Sequence, residues 1–194
     1  MNAQPLPLAV IVGSTRAGRF GPTVADWFVD QAKQHPAVTI DVIDLALTPL
    51  PTQMSSELTR QESAVLADVG KKLNTAEAFV VVTPEYNHSY PAPLKNAIDW
   101  HNAHWHAKPV GFVSYGGLAG GLRAVEHLRQ VFAELHAVTV RDTVSFHGAR
   151  QQFDATGRPI DAAGCATAAG RMLDQLVWWG SALSTARSAT PYTV

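Results

Sequence analysis

The chain has 194 residues, of which 46% are hydrophobic and 16% charged, and a formal net charge of −1. That length suits one domain, spanning residues 1–194, with a real core; the composition excludes disorder, and the charge lacks the basic excess of a nucleic-acid binder. The single cysteine, Cys165, has no partner for an internal disulfide or a thiolate metal site, so a reducing, cytoplasmic compartment is expected.

The opening "MNAQPLPLAVIVG" carries neither a basic leader region nor a small-residue cleavage site, and its apolar run is too short to span a membrane. Leu6 to Gly13 reads as a fully buried parallel strand closed by glycine. From Pro22 to about Gln34 the period turns helical, with Val24, Trp27, Phe28 and Ala32 on one face and proline in the first turn. Val38 to Leu45 is β-branched with acidic interruptions, which predicts a strand near an edge. After a proline-containing loop, Arg60 to Asn74 shows a stripe of Val65, Leu66, Val69 and Leu73 and predicts a helix. Ala76 to Pro84 is the clearest central strand, and "PAPLKNAIDWH" opens a helix on prolines.

Lys108 to Gly117 predicts a fourth strand. Leu122, Val125, Leu128, Phe132 and Leu135 mark a further helix, and Ala137 to Phe146 a fifth strand. "HGARQQFDATGRPID" reads as an exposed loop or short hairpin, and an alanine-rich helix closes the chain from about Ala162 to Ala186. On that last helix Trp178 and Trp179 are adjacent, so both cannot face the core. Strands alternating with helices imply an α/β doubly wound parallel sheet with helices on both faces.

Ligands of such sheets bind beyond the carboxyl ends of the strands, where strand order reverses. Three unusual loops leave those ends: "GSTRAGRFGP", "TPEYNHSYPAP" and "SYGGLAGG". In the flavodoxin-like order, 2-1-3-4-5, they converge on one crevice. The first is not a P-loop, because Gly18 precedes Arg19 and Phe20 rather than Lys and Ser or Thr. It is not a dinucleotide fingerprint either, because Thr15 stands where the second glycine belongs. What remains is a turn with two hydroxyls, two guanidinium groups and a helix N-terminus, which suits a monophosphate without metal. The alternative is that its glycines serve close packing and its arginines are solvated. In the second loop, a rigid turn with an aromatic residue suits the wall of a planar heterocycle; the alternative is a capping turn with packed tyrosines.

Three segments carry a resemblance to a known family: "GSTRAGRFG" at 13–21, "TPEYNHSYPAPLKNAIDW" at 83–100 and "SYGGLAGGLRA" at 114–124. The chain resembles the NAD(P)H-dependent FMN reductases of the flavodoxin-like superfamily, over roughly residues 6–186. The resemblance implies a five-stranded sheet of order 2-1-3-4-5, bound FMN, and NAD(P)H as co-substrate. It implies a ping-pong cycle that reduces a quinone, free flavin, azo compound or metal oxyanion, the flavin itself carrying the chemistry. Ser14 and Arg16 are then expected on the 5′-phosphate, with backbone from Gly18 through Arg19, Phe20, Gly21, Pro22 and Thr23 completing the cradle. Pro84, Glu85, Tyr86 and Asn87 would line the ring system, and Ser114, Tyr115, Gly116 and Gly117 its other side. Relatives often carry Ser and Asn where this chain has Arg19 and Gly21, so a hydroxyl and an amide are missing and Arg19 is left to supply charge.

The family is usually dimeric and often tetrameric, which implies a homo-oligomer. Leu94, Ile98 and Trp100 suit such an interface or, for the first two, a buried face inside the chain. His101, His104 and His106 offer one i, i+3 pair. A helix C-terminus or subunit contact is the better reading there than a metal site. A flavodoxin-type FMN electron carrier without nicotinamide activity is the alternative function, and a non-catalytic fold relative a third.

Overall fold

The computed structural model describes residues 4–193. Residues 1–3, part of the opening segment read above, and residue 194 lie outside the described residues. The elements follow in the expected order: β1 (Leu6–Val12), α1 (Gly21–Lys33), β2 (Val38–Asp44), α2 (Arg60–Thr75), β3 (Ala78–Pro84), α3 (Ala92–Trp100), β4 (Pro109–Tyr115), α4 (Leu122–Glu134), β5 (Val138–Thr139), β6 (Val144–Phe146) and α5 (Ala162–Ala189). The sheet runs β2-β1-β3-β4-β5, every pairing parallel, with β6 also on β4.

The position expected to hold one strand over 137–146 is filled by two short pieces. Arg129 of α4 explains the break: its guanidinium donates to Thr139 Oγ1 at 3.1 Å and to the carbonyls of Val140 at 2.8 Å and Arg141 at 3.1 Å. Gln175 of α5 accepts the Asp142 amide at 3.1 Å. Val140 N still donates to Val110 O at 2.9 Å, the ladder is broken over residues 141–143, and the chain returns to β4 at Val144.

Burial alternates with period two, as a two-faced sheet requires. Leu8, Val10 and Val12 face Val24 and Phe28 of α1 and Met172, Leu173 and Leu176 of α5. Ala9, Ile11, Phe79 and Val81 face Leu73, Leu94, Ile98, Leu128 and Phe132 on the other side. β2 is the exposed edge, with Val42 partly in solvent. The α2 N-terminus closes in a capping box: the Glu62 amide donates to Thr59 Oγ1 at 3.2 Å, and the Thr59 amide to Glu62 Oε2 at 2.8 Å. Leu94 and Ile98 are committed to the chain's own core, which removes both from any subunit contact. Trp178 and Trp179 both stay exposed and meet edge to face, with ring centroids 4.9 Å apart.

The stretch after β6 is mostly exposed and forms the short hairpin expected as one of two readings, anchored by buried Ala149, Phe153 and Pro159. Ala149 to Gln151 form a 3-10 turn, and a bridge between Phe153 and Pro159 closes a small hairpin. Phe153 is buried against Phe20 and Phe146, at centroid distances of 5.3 and 4.7 Å.

Two points of close packing are testable. Gly111 in β4 leaves room for α5; a Cβ there would stand 3.0 Å from Met172 Sδ and 3.1 Å from Leu176 Cδ1. Gly111→Val should therefore cost about 1–3 kcal/mol in chemical denaturation, and an unchanged midpoint would contradict this. Lys108 is buried, and its Nζ donates to the carbonyls of Leu73 at 2.9 Å and Asn74 at 3.3 Å, capping the C-terminus of α2. Burial pulls its pKa from 10.5 down to about 8. Between those values the unfolded chain binds more protons, so this group adds stability as pH rises. The stability of wild type relative to Lys108→Met should grow between pH 8 and 10.5; a flat difference would refute the assignment.

Candidate active site

The strand ends are stitched together at one edge. Gly13 N donates to Val82 O at 2.9 Å, Glu85 N to Tyr115 O at 3.1 Å, and Gly116 N to Phe146 O at 3.1 Å. The loops after β1, β3, β4 and β6 therefore surround a single crevice of about 560 Å³. Of the residues singled out from sequence, Arg16, Arg19, Phe20, Pro84, Glu85, Tyr86, Tyr115, Gly116 and Gly117 line it.

Ser14 lies just beneath, fully buried, its Oγ 2.9 Å from the Tyr86 hydroxyl, so loops from β1 and β3 are joined by their hydroxyls. α1 begins at Gly21, with Phe20 as its N-cap and no side-chain cap. Pro22 carries no amide hydrogen, so Gly21 and Thr23 are the first-turn donors that the helix itself leaves unpaired. Tyr115, reaching over from β4, ends against this turn: a Cβ on Gly21 would sit 2.9 Å from its hydroxyl. That close approach leaves no room for a side chain at position 21. The Tyr115 hydroxyl is buried and, among the described residues, is the one buried side-chain polar atom with no hydrogen-bond partner. Burial pushes its pKa well up, partly offset by the nearby Ser14 hydroxyl.

Arg19 does something other than the sequence suggested. Its guanidinium grips Asp44 at the end of β2 with two bonds, of 2.5 and 2.6 Å, and donates to Ser14 O at 2.6 Å. The Asp44 carboxylate raises its already high pKa. Arg19 thus fixes the β1 loop to β2, and its charge is neutralised within the fold. Glu85 plays a matching part after β3. It accepts from the Arg123 amide at 3.2 Å and from Arg123 Nη1 at 3.0 Å, tying the turn to the start of α4.

Asn87 and His88 both have positive φ, 50° and 69°, and Tyr86 and Ser89 exchange backbone hydrogen bonds of 2.8 and 3.0 Å across them. This is the two-residue turn of type I′, held by non-glycine residues at some strain. Asn87 points to solvent and does not line the crevice; Pro22 and Thr23 do not line it either, and the first turn of α1 to which they belong borders it through its N-cap, Phe20. Ser114 departs further from expectation. It is fully buried, and its Oγ donates to Gly120 O at 2.9 Å beneath the glycine-rich loop. Gly121, at φ 88°, lies against it; a Cβ there would stand 2.6 Å from the Ser114 Cβ. Ser114 therefore shapes the loop, while Gly116 and Gly117 form its crevice side.

Gly148 to Gln151 also line the crevice, and sequence reasoning missed them. Gly148 N and Ala149 N bond to Gly117 O and Gly116 O at 2.8 and 3.0 Å, drawing this segment in. The missed signal was positional: it too follows a parallel strand at the carboxyl edge. The histidines do not form a site together. His101 is buried, with both ring nitrogens facing carbonyls, Ala97 O at 2.9 Å and Leu66 O at 3.2 Å. Burial, and then His101, lower the pKa of His104, while His106 turns toward His136 and Tyr192. Among the described residues no three His, Cys, Asp or Glu are placed to hold a metal ion.

The strand order and the crevice at its reversal define a flavodoxin-like α/β protein. The family model for NADPH-dependent FMN reductases matches residues 6–151, and the chain belongs to that family. It is 34% identical over 161 residues to an NADPH:quinone oxidoreductase of Arabidopsis thaliana, covering 79% of this chain and 82% of that one. It is 38% identical to an NAD(P)H-dependent FMN reductase of Schizosaccharomyces pombe, over 59% of this chain and 60% of that protein's length. Among solved structures, the flavoenzyme NAD(P)H:(acceptor) oxidoreductase FerB of Paracoccus denitrificans shares the fold. Its TM-score is 0.73 at 22% identity, covering 91% of this chain and 97% of that one.

Removing Arg19 should leave Asp44 partly buried without its cation. Arg19→Met is expected to cost about 1–3 kcal/mol in thermal denaturation. Arg19→Met combined with Asp44→Asn should cost less than the sum of the single changes; strict additivity would show the pair is not coupled.

Proposed function

We propose that the crevice binds FMN and that the chain is an FMN-dependent NAD(P)H oxidoreductase acting on a quinone, free flavin, azo compound or metal oxyanion. The observation that carries the site is the unpartnered Tyr115 hydroxyl at the bare N-terminus of α1. A buried polar atom without a partner is costly, and a ligand oxygen beside it removes the cost. The flanking groups suit one molecule with an anionic end and a flat end. Arg16 and the amides of Gly21 and Thr23 would receive the phosphate, by charge and by the helix N-terminus. The Pro84–Tyr86 segment would wall the ring system on one side. Gly116 and Gly117 would face it on the other, where their lack of side chains leaves space for approach.

FMN, when bound, supplies two-electron chemistry between the nicotinamide and the acceptor. The protein's part is to orient and to stabilise charge. The amides of Glu85, Tyr86 and Gly116 are bonded within the fold, which leaves those of Asn87 and Gly117 as the donors that would favour a developing negative charge on the ring. The Glu85–Arg123 ion pair holds the turn in place. The Ser14–Tyr86 contact holds the phosphate end and the ring end at a fixed separation.

The same reading takes the chain as a single cytoplasmic domain that assembles as a dimer or tetramer, without nucleic-acid or membrane partners. Leu118 on the glycine-rich loop is 91% exposed, and Leu122 at the start of α4 is 42% exposed. They support an apolar contact with a second copy beside the crevice. No helix among the described residues is long and apolar enough to cross a membrane.

The visible spectrum of purified protein, reconstituted with FMN and treated with NADPH without oxygen, tests the function. Flavin absorbance that bleaches within seconds is expected. A protein that takes up no FMN would sink the proposal, and a bound flavin that NADPH leaves oxidised would make it an electron carrier.

A further inference from the structure

Two of the four arginines around the crevice are neutralised inside the fold: Arg19 by Asp44 and Arg123 by Glu85. Arg16 and Arg150 form no ion pair among the described residues, and both line the crevice. Arg150 comes from the 3-10 turn after β6, far from the β1 loop in sequence. Its guanidinium lies over the Phe20 ring, 5.4 Å from the centroid, and Nη2 donates to Gly18 O at 3.3 Å. It is therefore held against the residues that open α1.

Two independent features point to an anion at that place. One is the helix N-terminus, with the unpaired amides of Gly21 and Thr23. The other is the Tyr115 hydroxyl, whose residue is 6% exposed, unpartnered and directed at Gly21. A phosphate monoester carries close to two negative charges at neutral pH. Arg16 supplies one neutralising charge, and the β1 loop supplies no second, because Arg19 is bound to Asp44.

We infer that Arg150 is the second guanidinium on the ligand's phosphate, and that the β6–α5 turn completes the cradle in place of Arg19. This inference rests on the crevice being the FMN site. With Nη2 on the Gly18 carbonyl and the guanidinium over Phe20, Nη1 and Nε have no partner among the described residues, which suits charge-assisted bonds to phosphate oxygens. The Phe20 stack and the Gly18 carbonyl hold it in place before ligand arrives, which lowers the ordering cost of binding.

Riboflavin, which lacks the phosphate, separates this role from a structural one. Dissociation constants of FMN and riboflavin should be measured on the apoprotein by flavin fluorescence, for wild type, Arg150→Gln and Arg150→Lys. Arg150→Gln should weaken FMN about 10- to 100-fold and leave riboflavin within about twofold, with Arg150→Lys between wild type and Arg150→Gln for FMN. The salt dependence of FMN binding should also flatten in Arg150→Gln. Equal weakening of both flavins would show that Arg150 only props Phe20 and would overturn the inference, as would unchanged FMN affinity. Wild-type protein that binds neither flavin would instead remove the site itself, and the inference with it.

Discussion

Parallel pairing of β1 with both β2 and β3 governs the geometry of everything at the carboxyl edge. β2 lies on one side of β1 and β3 on the other, so successive crossovers depart in opposite directions. The connection after β1 leads to α1 on one face of the sheet, and the connection after β3 leads to α3 on the other. A gap opens between them, floored by strand ends whose backbone groups are already paired. No side chain has to be moved to make this crevice; it follows from the strand order. The cost is that β1, β3 and β4 must be apolar on both faces, which their Val-, Ile- and Phe-rich runs satisfy.

What the crevice can bind depends on which charges the fold neutralises for its own use. Arg19 with Asp44 and Arg123 with Glu85 are partly buried pairs whose partners come from different elements. Each fixes a loop to its neighbour, and each removes a charge from the ligand's view. The remaining cations stand at the N-terminus of α1, where the helix adds partial positive charge of its own. One end of the crevice is thus cationic, and the other is walled by aromatic residues, backbone and glycine. Positive φ at Asn87 and His88 shows that the β3 turn is held against its local preference, as binding turns often are.

Much of this was legible in the sequence. The strand order, the three glycine- and proline-rich loops and the crevice residues Arg16, Phe20, Tyr86 and Gly117 followed from apolar runs closed by turn residues, and from the family resemblance. Three things were not legible, each because a long-range contact decided it. Arg19 read as a ligand group because Asp44, at the end of another strand, is invisible to local pattern. Ser114 read as lining the crevice because Gly120 and Gly121 turn the following loop back over it. The Gly148–Gln151 segment read as part of an exposed loop or short hairpin because its place beside the crevice depends on backbone bonds of Gly148 and Ala149 to Gly117 and Gly116. The single fifth strand failed for a similar reason: the sequence shows a β-branched run, and the arginine that interrupts its ladder sits on α4.

The most direct test of the crevice as the flavin site is a proton–nitrogen NMR titration of the apoprotein with FMN. The largest amide shifts should fall at Gly18, Gly21, Thr23, Tyr86, Gly117 and Arg150, which belong to four separate loops and meet only at the carboxyl edge. Shifts concentrated instead around Leu45 to Leu50, where a separate apolar cavity of about 420 Å³ lies, would contradict this placement.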